Sequence, residues 1–202
     1  MKDSYEENTI QDYAIQCESF WEATKSHDVS QNIHALLSHL PKKKPLSILD
    51  LGCGPGRDLL AFKTLGHHPL GVDGAFEFCQ MAKKHSGCPV INARFASLHL
   101  AYESVDGIFA NASLFHLPSN YYQEFLARCA NWLRPGGALM MSLPRGNFEG
   151  VRNQRYVNLM EFSQVKNLLE QAGLEVVSHY YRPAGRPLDQ QPWLAVVSQK
   201  LV

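Results

Sequence analysis

Apolar residues along this chain alternate between helical stripes and short continuous runs, and the order of the two predicts its elements. Ile10, Tyr13, Ala14, Cys17, Phe20 and Trp21 share one stripe and predict an amphipathic helix from about Thr9 to Trp21. Ile33, Leu36, Leu37 and Leu40 predict a second helix, opened by Ser30 as N-cap and ended before Pro41. Ile48, Leu49 and Leu51 form a buried strand, and Leu59, Leu60, Phe62 and Leu65 follow at helical spacing. A second strand is expected over His68–Asp73, then a helix carrying Phe76, Phe78, Met81 and Ala82, a third strand over Pro89–Phe95 and a fourth over Val105–Asn111. A helix from about Asn120 to Leu133 turns Phe125, Leu126, Cys129 and Trp132 inward and is stopped by Arg134-Pro135-Gly136-Gly137. Strand five covers Ala138–Leu143, and the polar stretch Pro144–Tyr156 reads as a loop too long for a simple connection. Helix Phe162–Ala172, strand Leu174–Tyr181 and strand Trp193–Gln199 complete the chain. Counted together they give an α/β fold, an open sheet of seven strands, six parallel and the last antiparallel, with helices on both faces.

A length of 202 residues with 45% apolar composition suits a single domain, 1–202, in which 1–44 form an N-terminal helical cap. Nineteen basic residues balance nineteen acidic ones, so no global field draws the chain to nucleic acid; Lys42-Lys43-Lys44 reads as a solvated loop. Five scattered cysteines without C-x-x-C spacing argue against a disulfide framework and against a metal site. The first residues are polar and acidic, and no run is long enough to span a bilayer, so a cytoplasmic protein with no membrane partner is expected.

Candidate chemistry centres on Asp50-Leu51-Gly52-Cys53-Gly54-Pro55-Gly56, between the first strand and its helix. Glycines there let the main chain approach a ligand, with the N–H groups of the helix behind them. A dinucleotide fingerprint would need glycine where Arg57 stands, and the lysine of a Walker loop is missing. Asp73 ends the second strand about 20 residues on, the distance at which nucleotide-binding α/β units place an acid on ribose hydroxyls.

The Gly-x-Gly-x-Gly turn, with Leu70-Gly71-Val72-Asp73 behind it, resembles the first two motifs of the class I S-adenosylmethionine-dependent methyltransferases, of the small stand-alone type that acts on small molecules. The resemblance runs from Ser47 to Leu201. It implies a Rossmann-like sheet closed by an antiparallel strand, S-adenosylmethionine as cofactor with S-adenosylhomocysteine as product, and in-line displacement of the methyl group. It also implies cofactor contacts from Asp50, Gly52, Cys53, Gly54 and Gly56 at the turn, Asp73 and Gly74 after the second strand, Phe95 after the third and Asn111 after the fourth. Tyr13 joins them from the N-terminal segment, which in this family often folds over the cofactor. Arg94 departs from the pattern: many relatives carry an acid there for the adenine amino group, and Phe95 and main-chain N–H groups are left to replace it.

Ala112–Pro118 is similar to the family's post-strand motif and places His116 beside the methyl group, either as a catalytic residue or as a packed histidine. Trp21 and His27 are candidates for the acceptor pocket. Arg145 and Arg182 suit a carboxylate or phosphate, and Tyr181 a wall or hydroxyl donor. The acceptor expected is therefore a small metabolite bearing an anionic group. Two other readings remain: an RNA (transfer RNA) methyltransferase, opposed by the neutral charge balance and the absence of a basic stripe, and a domain that binds cofactor or partner without catalysis, opposed by the intact turn and Asp73.

Overall fold

The structure, a computed structural model, describes residues 3–201, with side chains from Tyr5 onward; Met1 and Lys2 of the polar start lie outside that range. The helix expected over 9–21 is two helices, α1 (Asp3–Ile15) and α2 (Cys17–Thr24), broken where Gln16 leaves helical geometry. The break brings Phe20 back edge-on to Tyr13, ring centroids 5.5 Å apart. In α3 (Ser30–Leu37) Ser30 is the first helical residue, and its amide donates to Asp28 Oδ1 at 2.9 Å. Asp28 thus does the work expected of Ser30.

The elements β1 (Ser47–Leu51), α4 (Arg57–Thr64), β2 (His68–Asp73) and α5 (Phe76–Ser86) follow the apolar pattern. β3 (Val90–Asn92) is shorter than expected, because the chain turns away into a 3-10 turn at Phe95–Ser97. β4 (Val105–Asn111) and α6 (Ser119–Trp132) come next. Leu133-Arg134-Pro135-Gly136-Gly137, expected as a helix stop and turn, already belongs to the long β5 (Leu133–Pro144), whose register on β4 shifts between Val105 and Gly107. The expected loop after β5 is instead a hairpin of β6 (Phe148–Arg152) and β7 (Arg155–Leu159). Asn153 and Gln154, at φ +48° and +68°, form its two-residue turn. α7 (Phe162–Gln171), β8 (Leu174–Arg182) and β9 (Trp193–Lys200) close the chain.

Seven strands form one sheet in the order β3-β2-β1-β4-β5-β9-β8, with β9 antiparallel between β5 and β8. Alternation along the strands sorts side chains onto two faces. Ile48, Phe109, Met140 and Val197 meet Leu36 of α3 and Phe62 of α4, whereas Leu49, Ile108, Met141 and Val196 meet Leu126 of α6 and Val165 of α7. Each fully buried side chain contributes about 1.5–3 kcal/mol, and a one-residue slip would exchange the faces, which fixes the register. Strand order reverses between β1 and β4, and the carboxyl ends of β2, β1, β4, β5 and β8 share one edge. Over that edge α1 rests on the hairpin: the Tyr156 amide donates to Thr9 Oγ1 at 2.9 Å, and Arg155 Nε meets Asp12 Oδ2 at 2.5 Å.

Candidate active site

β1 delivers the chain into the glycine turn, and α4 begins directly behind it. Gly52 sits at φ +72°, where a Cβ would run into Ser113, and Gly56 at φ +90°, where a Cβ would lie 2.7 Å from Ala82 Cα. Both positions require glycine. The amides of the turn are not presented to a ligand: Gly52 and Cys53 donate to the Val72 carbonyl, Gly54 to Asp73 Oδ2 and Gly56 to the Cys53 carbonyl. The turn offers close approach instead, since a Cβ built on Gly54 meets only Phe20, at 3.9 Å.

Asp73 ends β2. One carboxylate oxygen accepts the Gly54 amide and the other the Ala75 amide, both at 2.9 Å, which leaves each oxygen a lone pair for a ligand. Burial lifts its pKa from 3.8 to about 6, against the opposing pull of the Ala75, Gly54 and Gly74 amides.

A cavity of about 780 Å³ runs along the carboxyl edge of the sheet, from Asp73 and Phe95 on the β2–β3 side to Arg182 and Trp193 on the β8–β9 side. That volume lies within the range of small-molecule sites, roughly 300–1,000 Å³. Gly52, Cys53, Gly54, Gly74, Asn111 and His116 line it along the strand ends. Tyr13, Trp21 and His27 reach it from the N-terminal segment; Trp21 stacks on His85 at 4.4 Å between ring centroids.

Four residues expected in the site stand elsewhere. Gly56 faces Ala82 behind the turn. Asp50 is 1% exposed beneath it, with no hydrogen bond to Oδ2 among the described residues, and burial together with neighbouring Asp58 pushes its pKa well above the usual carboxylate range. Arg145 lies over the Tyr181 ring at 4.5 Å and donates to Glu161 and to the carbonyls of Leu188 and Gln191, so it ties the loop after β5 to the segment before β9. Strand alternation puts Tyr181 and Tyr180 on opposite faces of the sheet, each packed against a core and neither lining the cavity, and the Tyr180 hydroxyl donates to Asn32 Oδ1 at 2.8 Å.

Beneath the cavity runs a polar chain that sequence reading did not find beyond Asn111 and Arg182. Arg57 donates twice to Asp58, and Asn111 Nδ2 donates to the same carboxylate at 3.2 Å. Asn111 Oδ1 accepts from Ser142 at 2.7 Å and from Asn32 at 2.8 Å, while Asn32 Oδ1 accepts from Arg182 at 3.2 Å. Asn32, fully buried on α3, thus links the two ends of the site.

Aromatic rings roof the middle. His116 Nδ1 lies 2.6 Å from the Tyr156 carbonyl and its Nε2 2.8 Å from the Tyr13 hydroxyl. A carbonyl can only accept, so Nδ1 carries the proton and Tyr13 donates to Nε2. Burial lowers the His116 pKa to about 4, countered by the Tyr156 carbonyl and reinforced by Arg155. Burial likewise raises that of Tyr13, with Arg155, 3.8 Å above its ring, opposing. His116 therefore lines the site as a neutral ring with both nitrogens engaged, which suits positioning and not proton abstraction.

On the β3 side Arg94 lines the cavity and pairs with Glu7 of α1. Arg128, unmarked by any sequence motif, holds the turn at Phe95–Ser97 by donating to the carbonyls of Phe95, Ala96 and Leu98.

Residues 48–137 match a family model described as a methyltransferase domain. The match spans the glycine turn and Asp73 and stops before the hairpin. Among curated proteins, the chain is 33% identical over 114 residues to a trans-aconitate 2-methyltransferase of Azoarcus sp. (strain BH72), covering 54% of this chain and 44% of that protein. It is 30% identical over 152 residues to a ubiquinone biosynthesis O-methyltransferase of Xylella fastidiosa, covering 69% and 60%. The chain thus spans about half the length of the curated relatives it matches. Among solved structures, a Burkholderia thailandensis 1,6-didemethyltoxoflavin-N1-methyltransferase, with bound 1,6-didemethyltoxoflavin and S-adenosylhomocysteine, superposes with a TM-score of 0.77 at 22% identity, over 100% of this chain and 91% of that one.

Proposed function

We propose that this chain, which belongs to the class I S-adenosylmethionine-dependent methyltransferases, moves a methyl group from S-adenosylmethionine to a small metabolite that bears an anionic group. The observation that carries the reading is the polarity of the long cavity: the Asp73 carboxylate lines one end and the Arg182 guanidinium the other. The residues at the first end fit the cofactor. Asp73 keeps a lone pair on each oxygen for the ribose hydroxyls, Gly54 leaves open space above the main chain, and Phe95 lines the wall on the β3 side, where its ring can bear on adenine. Asp58 and Asn111 face the position of the amino-acid part.

When bound, S-adenosylmethionine supplies a methyl carbon already made electrophilic by its sulfonium. The chain's own task is then alignment and the exclusion of water. Tyr13, Phe20 and Phe78 pack as a roof with ring centroids 5.3–5.8 Å apart, and Ile10 closes over Gly74. Arg182, held by Asn32 and by the Asp28 carbonyl, retains N–H groups for an anion.

Calorimetric titration with S-adenosylhomocysteine tests the reading. One-site binding is expected, weakened about 100-fold in Asp73→Ala for two lost charge-assisted hydrogen bonds. Absence of binding by the folded wild-type protein would falsify it.

A further inference from the structure

We infer that Asn32 is a positioning residue for the cofactor: it carries the donor direction of Arg182 to Asn111, so that Asn111 turns its Nδ2 and not its Oδ1 toward the Asp58 carboxylate, where the amino-acid group of S-adenosylmethionine is held. The inference rests on the function proposed above and gives that function a residue from behind the cavity wall.

Donor and acceptor chemistry fixes every atom between Arg182 and Asp58. A guanidinium only donates, so the Asn32 atom 3.2 Å from Arg182 Nη1 is Oδ1, and the Tyr180 hydroxyl donates to the same oxygen. Asn32 is fully buried, so its Nδ2 needs a partner within the protein, and it meets Asn111 Oδ1 at 2.8 Å. Ser142, whose Oγ accepts the Ala112 amide, gives its own proton to that oxygen at 2.7 Å. Asn111 Nδ2 is left to donate to Asp58 Oδ2 at 3.2 Å, and Asp58, ion-paired with Arg57, can only accept. From guanidinium to carboxylate every bond donates in one direction, and hydrogen bonds aligned in this way strengthen one another.

Asp58 and Asn111 line the cavity, and Asn32 stands behind them. A carboxylate has about four lone-pair sites. At Asp58 they take two bonds from Arg57 and one from Asn111, so a site remains for an ammonium. Asn111 Nδ2 has a second N–H, which suits the carboxylate of the same amino-acid group. Turned over, Asn111 would set Oδ1 against Asp58 and lose both contributions. Because Arg182 belongs to β8 and Asp58 to α4, Asn32 makes the acceptor end of the cavity and the cofactor end a single polar unit, and linkage requires that each be felt at the other.

Calorimetric titration of the full chain with two probes tests this: S-adenosylhomocysteine, and 5′-methylthioadenosine, which keeps adenine and ribose and lacks the amino-acid part. Asn32→Asp keeps the shape and still accepts from Arg182 and Tyr180, but it sets an oxygen against Asn111 Oδ1. It is expected to weaken S-adenosylhomocysteine about tenfold and to leave 5′-methylthioadenosine within about twofold. Arg182→Glu asks Asn32 for a donor instead of an acceptor, and it is expected to show the same selectivity at about threefold or more, whether or not Asn32→Asp folds. Asp73→Ala, at the ribose, should weaken both probes. Equal losses for the two probes in Asn32→Asp and Arg182→Glu would reduce Asn32 to a structural role, and unchanged S-adenosylhomocysteine affinity in either folded variant would also overturn the inference. Failure of the folded wild-type protein to bind S-adenosylhomocysteine would instead remove the methyl-transfer reading beneath it.

Discussion

The two ends of the cavity are built by different means. At the Asp73 end, main chain and near neighbours do the work: Gly54 meets Asp73 across 19 residues, and glycine conformations shape the wall. Through the middle and at the Arg182 end, side chains from distant segments converge: Tyr13 meets His116 across 103 residues, and Arg182 meets Asn32 across 150. The first end is rigid because covalent geometry and β1–β2 register define it. The second depends on α1, α2 and the hairpin being seated, so it is the end that a single substitution can loosen without unfolding the sheet.

The contrast can be broken most forcefully at the glycine turn. Gly56→Ala combines backbone strain at φ +90° with a collision against the α5 main chain. It is expected to lower unfolding stability by about 3 kcal/mol, read as a shifted urea midpoint. A normal midpoint would mean that the turn relaxes freely. His116→Ala should cost less, about 2 kcal/mol for two buried hydrogen bonds and a packed ring, and should increase proteolysis before residue 25 more than elsewhere.

Acid distinguishes the ends chemically. Asp73 titrates at about 6. Its ionised form accepts ribose hydroxyls, so S-adenosylhomocysteine affinity should be constant well above pH 6 and fall by up to about tenfold per unit below it. The ligand-free protein has the opposite sign: an acid whose folded pKa is raised from 3.8 contributes stability that is present below that value and lost as pH rises through 6. Calorimetry from pH 5 to 8 checks the first and thermal melts of the apo-protein the second. The smallest effect is expected from Arg145→Ala, about 1 kcal/mol of stability for its contacts with Glu161 and two carbonyls, with acceptor affinity unchanged. Weakened acceptor binding there would return Arg145 to the site.

What the sequence disclosed follows the same division. β2 and β4 have the bounds that alternation and turn residues indicate, and the turn with Asp73 is legible because its parts lie close in sequence. The hairpin was not: its strands carry polar residues on an exposed face, and Asn153-Gln154 is a weaker turn signal than a glycine pair. Nor could spacing separate Arg182, which faces the cavity, from Arg145, which braces a loop, because that choice is made by the position of β9 between β5 and β8. Arg128 and Asn32 carry no local pattern at all; only packing gives them a role.

The seating of α1 also sets an order of assembly. Thr9 bonds to Tyr156, 147 residues later, and Asp12 to Arg155, 143 residues later. On the ribosome α1 is therefore made before every surface it rests on, and closing loops of that length is slow next to forming local turns. Its Thr9 and Asp12 must stay without their final partners until β7 has emerged, so α1 is among the last of these elements to dock fully.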